Sequence, residues 1–226
     1  MSAIRTDFPD LPPLLDQAIL DPLLNDEQLH ELCDASCQED VRAICTTPQQ
    51  LPLLRKRLGS SDRRPNLIAA IGFPFGAIPS ELKQAEAEWA ASQGAEEFDV
   101  VPNFRALANG AINVFADELG ALCGLGLPLR VILDMVRLNQ DQLAVAVEAS
   151  IDAGATGVQT GNGFGPACHP DQVLQLVALC RERCVIKAAG GIHSIELIGE
   201  LVKAGAGLLG TSSAPQLLRS LRQPVG

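Results

Sequence analysis

The sequence predicts an α/β protein, a single-domain (β/α)8 TIM barrel, on three observations. Its 226 residues are enough to bury one large core. Short β-branched runs alternate with helical stretches along the whole chain. The runs number eight at a mean spacing of about 27 residues, and right-handed crossovers repeated that often close most naturally into a barrel. An open doubly wound sheet is the competing arrangement.

The elements follow in order. The opening MSAIRTDFPDLPP, polar and punctuated by proline, reads as an N-terminal arm over 1–13, with the barrel over 14–226. Strand one, LLDQAIL (14–20), precedes the helical pattern NDEQLHELCDAS, capped by Asn25. Strand two is VRAICT (41–46). Strand three, LIAAIGF (67–73), leads through the loop GFPFGA to PSELKQAEAEWAASQGA, capped by Ser80. EEFDVVP (96–102) and LRVILDM (129–135) are strands four and five, and Asn139 caps the following NQDQLAVAVEASIDAGA. TGVQT (156–160) is the sixth strand, followed by HPDQVLQLVALCRER. CVIKAA (184–189) is the seventh, and Ser194 caps SIELIGELVKAGA. After AGLLGT (206–211), Ser212 or Ser213 caps a last helix carrying Pro215 in its first turn.

Composition narrows the partners. No stretch approaches the roughly 18 apolar residues of a membrane helix, and the start lacks a secretory core, so a cytoplasmic location without membrane contact is expected. A net charge of −10 argues against nucleic acid. A small anion still fits a nest of backbone N–H groups. Seven cysteines without a CxxC pair read as reduced thiols.

A barrel gathers its active residues at the C-terminal ends of the strands. Those ends offer Asp16, Gln17, Cys45, Thr46, Phe73, Asp99, Asn103, Asp134, Gln159, Thr160, Lys187 and Thr211. Of four lysines, Lys56, Lys83 and Lys203 fall among polar neighbours on helical patterns and read as solvated. Lys187 instead interrupts the apolar VIKAAGG, and Asp99 sits between Phe98 and Val100; together they read as a proton-handling pair or as mutual neutralisation. Gly190 and Gly191 after strand seven, and GTSSAP after strand eight, suggest a phosphate site against simple helix capping. GVQTGNGFG (157–165) combines a ligand loop with Gln159, whose amide neither takes a proton at neutral pH nor attacks a carbonyl.

In order, DPLLNDEQLHELCDAS, AICTTP, AIGFPFG, EEFDVVPNFRALANG, RVILD, DAGATGVQTGNGFG, IKAAGGI and AGAGLLGTSS resemble the deoxyribose-phosphate aldolase family over roughly residues 14–214. The resemblance implies a cofactor-free, metal-free class I aldolase. Such an enzyme cleaves 2-deoxy-D-ribose 5-phosphate reversibly to glyceraldehyde 3-phosphate and acetaldehyde. It implies a Schiff-base lysine on strand six, assisted by a strand-seven lysine and a strand-four aspartate. Lys187 and Asp99 match the latter two, while Gln159 stands at the Schiff-base position. It further implies substrate contacts from Asp16, Cys45, Thr160 and Gly163, and phosphate contacts from Gly190, Gly191, Gly210, Ser212 and Ser213. The partner is a small phosphorylated sugar or aldehyde, and a homo-oligomer is possible. Gln17 stands where a histidine is common, and Asp134 where a glutamate is.

Three outcomes stay open. Lys187 takes over as the amine; the pocket binds or regulates without reaction, as a pseudoenzyme; or acid–base chemistry runs without a covalent intermediate. Other patterns carry less. TGNGFG with Glu182 lacks dinucleotide-loop spacing. His30, Cys33 and Cys37 share a helix face without a fourth zinc ligand. Cys168 and His169, being adjacent, make a poor nucleophile and base.

Overall fold

The computed structural model describes residues 9–61 and 64–222; most of the expected N-terminal arm, residues 1–8, lies outside them. Eight parallel strands run in sequential order, each hydrogen-bonded to the next, and the eighth returns to the first. They are β1 (Leu15–Ile19), β2 (Ala43–Thr46), β3 (Asn66–Ile71), β4 (Glu97–Val100), β5 (Leu129–Ile132), β6 (Gly157–Gln159), β7 (Val185–Ala189) and β8 (Leu208–Thr211). The helices between them are α1 (Asp26–Gln38), α2 (Leu51–Leu58), α3 (Ser80–Ser92), α4 (Phe104–Ala108), α5 (Ile112–Cys123), α6 (Gln140–Asp152), α7 (Pro170–Cys180) and α8 (Ile195–Lys203), with α9 (Ala214–Arg222) last. Closure settles the choice of fold in favour of the barrel.

Most strands end a few residues inside the expected bounds. The backbone turns away once the ladder runs out: Gly72 takes φ +66° directly after β3, and Asp134 takes φ +47° just beyond β5.

Period-two alternation decides what enters the barrel. In β4, Phe98 and Val100 join the apolar layer beneath the helices, and so do Val131, Val158, Ile186 and Ala188. The alternate positions hold Glu97, Asp99, Arg130, Gln159 and Lys187, all buried. Ala43, Cys45, Ile68 and Ala70 form a small separate apolar cluster. The interior is therefore largely polar, and its charges must be paired to be tolerated.

Asn25 and Asn139 cap their helices with reciprocal capping boxes, and Ser194 accepts from the Leu197 N–H. Ser80 does not cap α3. Pro79 occupies the cap position, and the Ser80 hydroxyl donates instead to Glu118 Oε2 at 2.6 Å. A cap that sequence reading missed is His169, whose Nδ1 accepts from the Asp171 N–H at the start of α7.

Lys83 corrects a second expectation. It is fully buried, with Nζ 2.6 Å from Glu118 Oε1 on α5. Its neighbours Glu81 and Leu82 are exposed, but Lys83 shares the inward stripe of Ala87 and Ala90 at i, i+4 and i+7. The helical period, rather than the polarity of adjacent residues, determined where it points.

Candidate active site

A cavity of about 530 Å³ opens where the strands end, and Lys187 lies in its wall. Its Nζ donates to Asp99 Oδ2 at 2.6 Å and stands 2.7 Å from Asp16 Oδ2. The Asp16 contact is an ion pair without hydrogen-bond alignment. Behind this triad the network continues. Arg130 pairs with Asp99 at 2.7 Å and with Glu97 at 2.5 Å; Arg42 pairs with Asp16 at 2.7 Å and with Glu97 at 2.8 Å. Three carboxylates thus face three cations, and the barrel interior is neutral.

These pairings fix the protonation states. Burial alone would lower the Lys187 ammonium, but Asp16 and Asp99 outweigh it and raise it above the ordinary lysine value. Burial would raise the Asp99 carboxyl, yet Arg130 and Lys187 hold it well below the usual carboxylate range. Glu97 is treated likewise: burial pushes up, and Arg42 and Arg130 bring it down to about 2. At neutral pH the wall presents an ammonium between two carboxylates. It can orient a ligand hydroxyl or move a proton, but it offers no free amine.

Gln159 lies in the same cavity wall, paired in register with Lys187. Its Nε2 donates to the Gly161 carbonyl at 2.7 Å, while Oε1 is buried without a partner. Cys45 lines the cavity with Sγ 3.5 Å from Asp99 Oδ2, and burial raises its thiol. Thr160 does not line this cavity. Its hydroxyl donates to the Ala189 carbonyl and accepts from the Ala189 N–H, fastening β6 to β7.

The margin that follows β6, β7 and β8 is built mainly from glycines. Gly163, Gly190, Gly191, Gly210 and Ser212 line it. Gly191, at φ +63°, has no room for a side chain, since a Cβ there would come within 2.6 Å of Ala167. A Cβ at Gly210 would stand 3.0 Å from Lys187 Cε, so this glycine leaves space for the lysine itself. Ser213 lies outside the lining, its N–H donating to Thr211 Oγ1. Gln17 organises this loop from β1: Nε2 donates to the Ser212 carbonyl, and Oε1 accepts from the Ala214 N–H, both at 2.9 Å.

Sequence reading missed Arg42, Glu97 and Arg130. Arg130 carried a usable signal, a charge inside the short apolar strand LRVI, the same feature that marked Lys187. It also missed Asn162, which ties two loops over the mouth. Its Nδ2 donates to the Pro74 carbonyl at 2.9 Å, and its Oδ1 accepts from the Phe164 N–H. Phe164 then stacks obliquely on Phe73, ring centres 5.8 Å apart. Asp134 sits instead beside the β5–α6 turn, 3.4 Å from Arg137. Glu182, at φ +61°, belongs to the turn after α7. Among the described residues no cluster of three or more His, Cys, Asp or Glu is arranged to hold a metal ion. No described helix is long and apolar enough to cross a membrane.

No family profile matches the chain. Individual relatives do. A deoxyribose-phosphate aldolase of Trichormus variabilis is 32% identical over 224 residues, covering 98% of each chain. One from Thermosynechococcus vestitus is 33% identical, over 94% of this chain and 98% of its own. Among solved structures, the tetrameric deoxyribose phosphate aldolase of Aeropyrum pernix superposes with a TM-score of 0.85 at 30% identity, covering 95% of this chain and 92% of that one. Likeness of this extent in sequence, matched by the same closed barrel, means that the chain belongs to the deoxyribose-phosphate aldolase family.

Proposed function

We propose that the protein binds a small phosphorylated sugar or aldehyde in the barrel mouth without cleaving it through a covalent imine. The observation that carries this reading is the one lysine of the cavity wall, clamped at 2.6 Å and 2.7 Å between buried carboxylates and thereby kept protonated. An amine must be neutral to attack a carbonyl. Gln159, at the position the family resemblance gives to the Schiff-base lysine, supplies a carboxamide that forms no imine. Without an iminium the electron sink for carbon–carbon cleavage is missing.

The remaining machinery suits recognition and proton transfer. Gly190, Gly191, Gly210 and Ser212 present backbone to a phosphate, with Gln17, Thr160 and Ser213 holding those loops. Lys187 and Asp99 face the carbonyl end, where Asp16, Cys45 and Gly163 complete the wall. Self-association of the kind named for the Aeropyrum pernix relative belongs to the same proposal.

The test is to incubate the protein with acetaldehyde and sodium borohydride, weigh it by mass spectrometry, and titrate it with 2-deoxyribose 5-phosphate by calorimetry. Binding of the sugar phosphate with no covalent adduct is expected. A borohydride-trapped adduct on Lys187 would overturn the reading in favour of an aldolase using that lysine. Gln159→Lys should raise cleavage of 2-deoxyribose 5-phosphate at least about a hundredfold, equivalent to ~2.7 kcal/mol. Equal rates would mean that residue 159 is not where the chemistry was lost.

A further inference from the structure

A second cavity, of about 440 Å³, adjoins the first. The two share Pro22, Leu24, Ala70 and Phe73 in their walls, so the half-buried Phe73 stands between them as a partition. The outer walls of the second come from the turn between β2 and α2, from Leu53 on α2 and from Glu86 on α3. We infer that this chamber is a subsite for an uncharged, hydroxyl-bearing extension of the ligand at the end remote from its phosphate, a proposal that rests on the sugar-phosphate reading above.

Topology supplies the direction. In a closed ring of eight strands, β7 and β8 lie across from β3 and β4. A ligand held by its phosphate at the loops after β7 and β8 therefore points its other end toward Phe73, which follows β3. Charge supplies the class. The ionisable side chains lining the chamber are Asp26 and Glu86, with no lysine, arginine or histidine in the lining; Lys83 lies behind Glu86, its ammonium paired with Glu118. Carboxylates accept hydrogen bonds and repel a second anion, so hydroxyl donors suit the space and an acidic terminus does not. Glu86 is held in place by the Gly72 N–H at 2.7 Å, and Gln50 by Thr46 and by the Asp21 carbonyl. The wall is thus set before a ligand arrives, which limits the ordering cost on binding. The volume falls within the range of small-molecule sites.

Calorimetric titration of the full chain with three phosphates tests the proposal: 2-deoxyribose 5-phosphate, 2-deoxyglucose 6-phosphate, and 6-phosphogluconate, whose far end is a carboxylate. The hexose phosphate should bind several-fold tighter than the pentose phosphate, and 6-phosphogluconate at least about tenfold weaker than the hexose phosphate. Filling the chamber from an exposed position with Gln49→Trp should erase the hexose preference and leave pentose affinity unchanged; Leu53→Trp should act the same way from a second wall. Equal affinity for the three ligands, or a hexose preference that survives Gln49→Trp, would overturn the subsite. Pentose binding with no gain from the longer sugar would sink the subsite alone, whereas failure of all three to bind would remove the sugar-phosphate reading with it.

Discussion

Two lysines are buried in this protein, and their surroundings differ in an instructive way. Lys83 lies in the helical layer, wholly sealed, with Glu118 as its charged partner and Ser80 sharing that carboxylate. Lys187 lies in a cavity wall with two carboxylates on it and two arginines behind them. Burial lowers both ammonium groups; at Lys83 it prevails over Glu118, so that lysine stays below its ordinary value, whereas Lys187 ends above it. A buried lysine is thus not a site in itself. Adjoining open space, together with the number of charges facing the group, separates a structural strut from a group exposed to a cavity.

The contrast can be broken by substitution. Lys83→Met leaves Glu118 without its cation in a sealed layer, with only the Ser80 hydroxyl still on it, which should cost about 3–5 kcal/mol in urea denaturation. Adding Glu118→Leu should recover most of that loss. Acid should sharpen the contrast from the other side, by about 2–3 kcal/mol. Glu97 in the mouth network has its folded carboxyl down at about 2, beneath the ~4.3 of an unfolded chain. Between those values the unfolded state binds more protons, so the stabilisation is complete above about pH 5 and drains away as pH falls toward 2. Glu97→Gln should flatten that acid limb, and an unchanged limb would contradict the network. The smallest effect is expected for Lys187→Met, about 1–2 kcal/mol, because Arg42 and Arg130 still face the carboxylates and water can enter the cavity. If it destabilised as much as Lys83→Met, the distinction between strut and site would fail.

Much of this was legible in the sequence because a barrel converts strand order into position. Eight apolar runs gave the ring, and a charge inside such a run marked Lys187 and Asp99. Cys45 followed from standing near a strand end, whereas Asp16, read as belonging to the mouth end of strand one, is the second residue of β1 and lines the cavity from there. The same rule applied to LRVI would have found Arg130. Lys83 escaped because the polarity of its neighbours was weighed above its own helical period. Ser80 escaped because a serine at a helix start can serve another helix, here through Glu118. Asn162 and the pairing of Gln17 with the β8–α9 loop depend on contacts 88 and nearly 200 residues apart, which no local pattern encodes.

The central claim, that Lys187 is a held cation and not a nucleophile, is open to direct measurement. The chain has only four lysines, so their side-chain amines can be followed individually by NMR as pH is raised. Lys187 should lose its proton above the ordinary lysine value of about 10.4, while Lys83 loses its own below it. A Lys187 that titrates below that value, delivering a neutral amine to the cavity, would contradict the account.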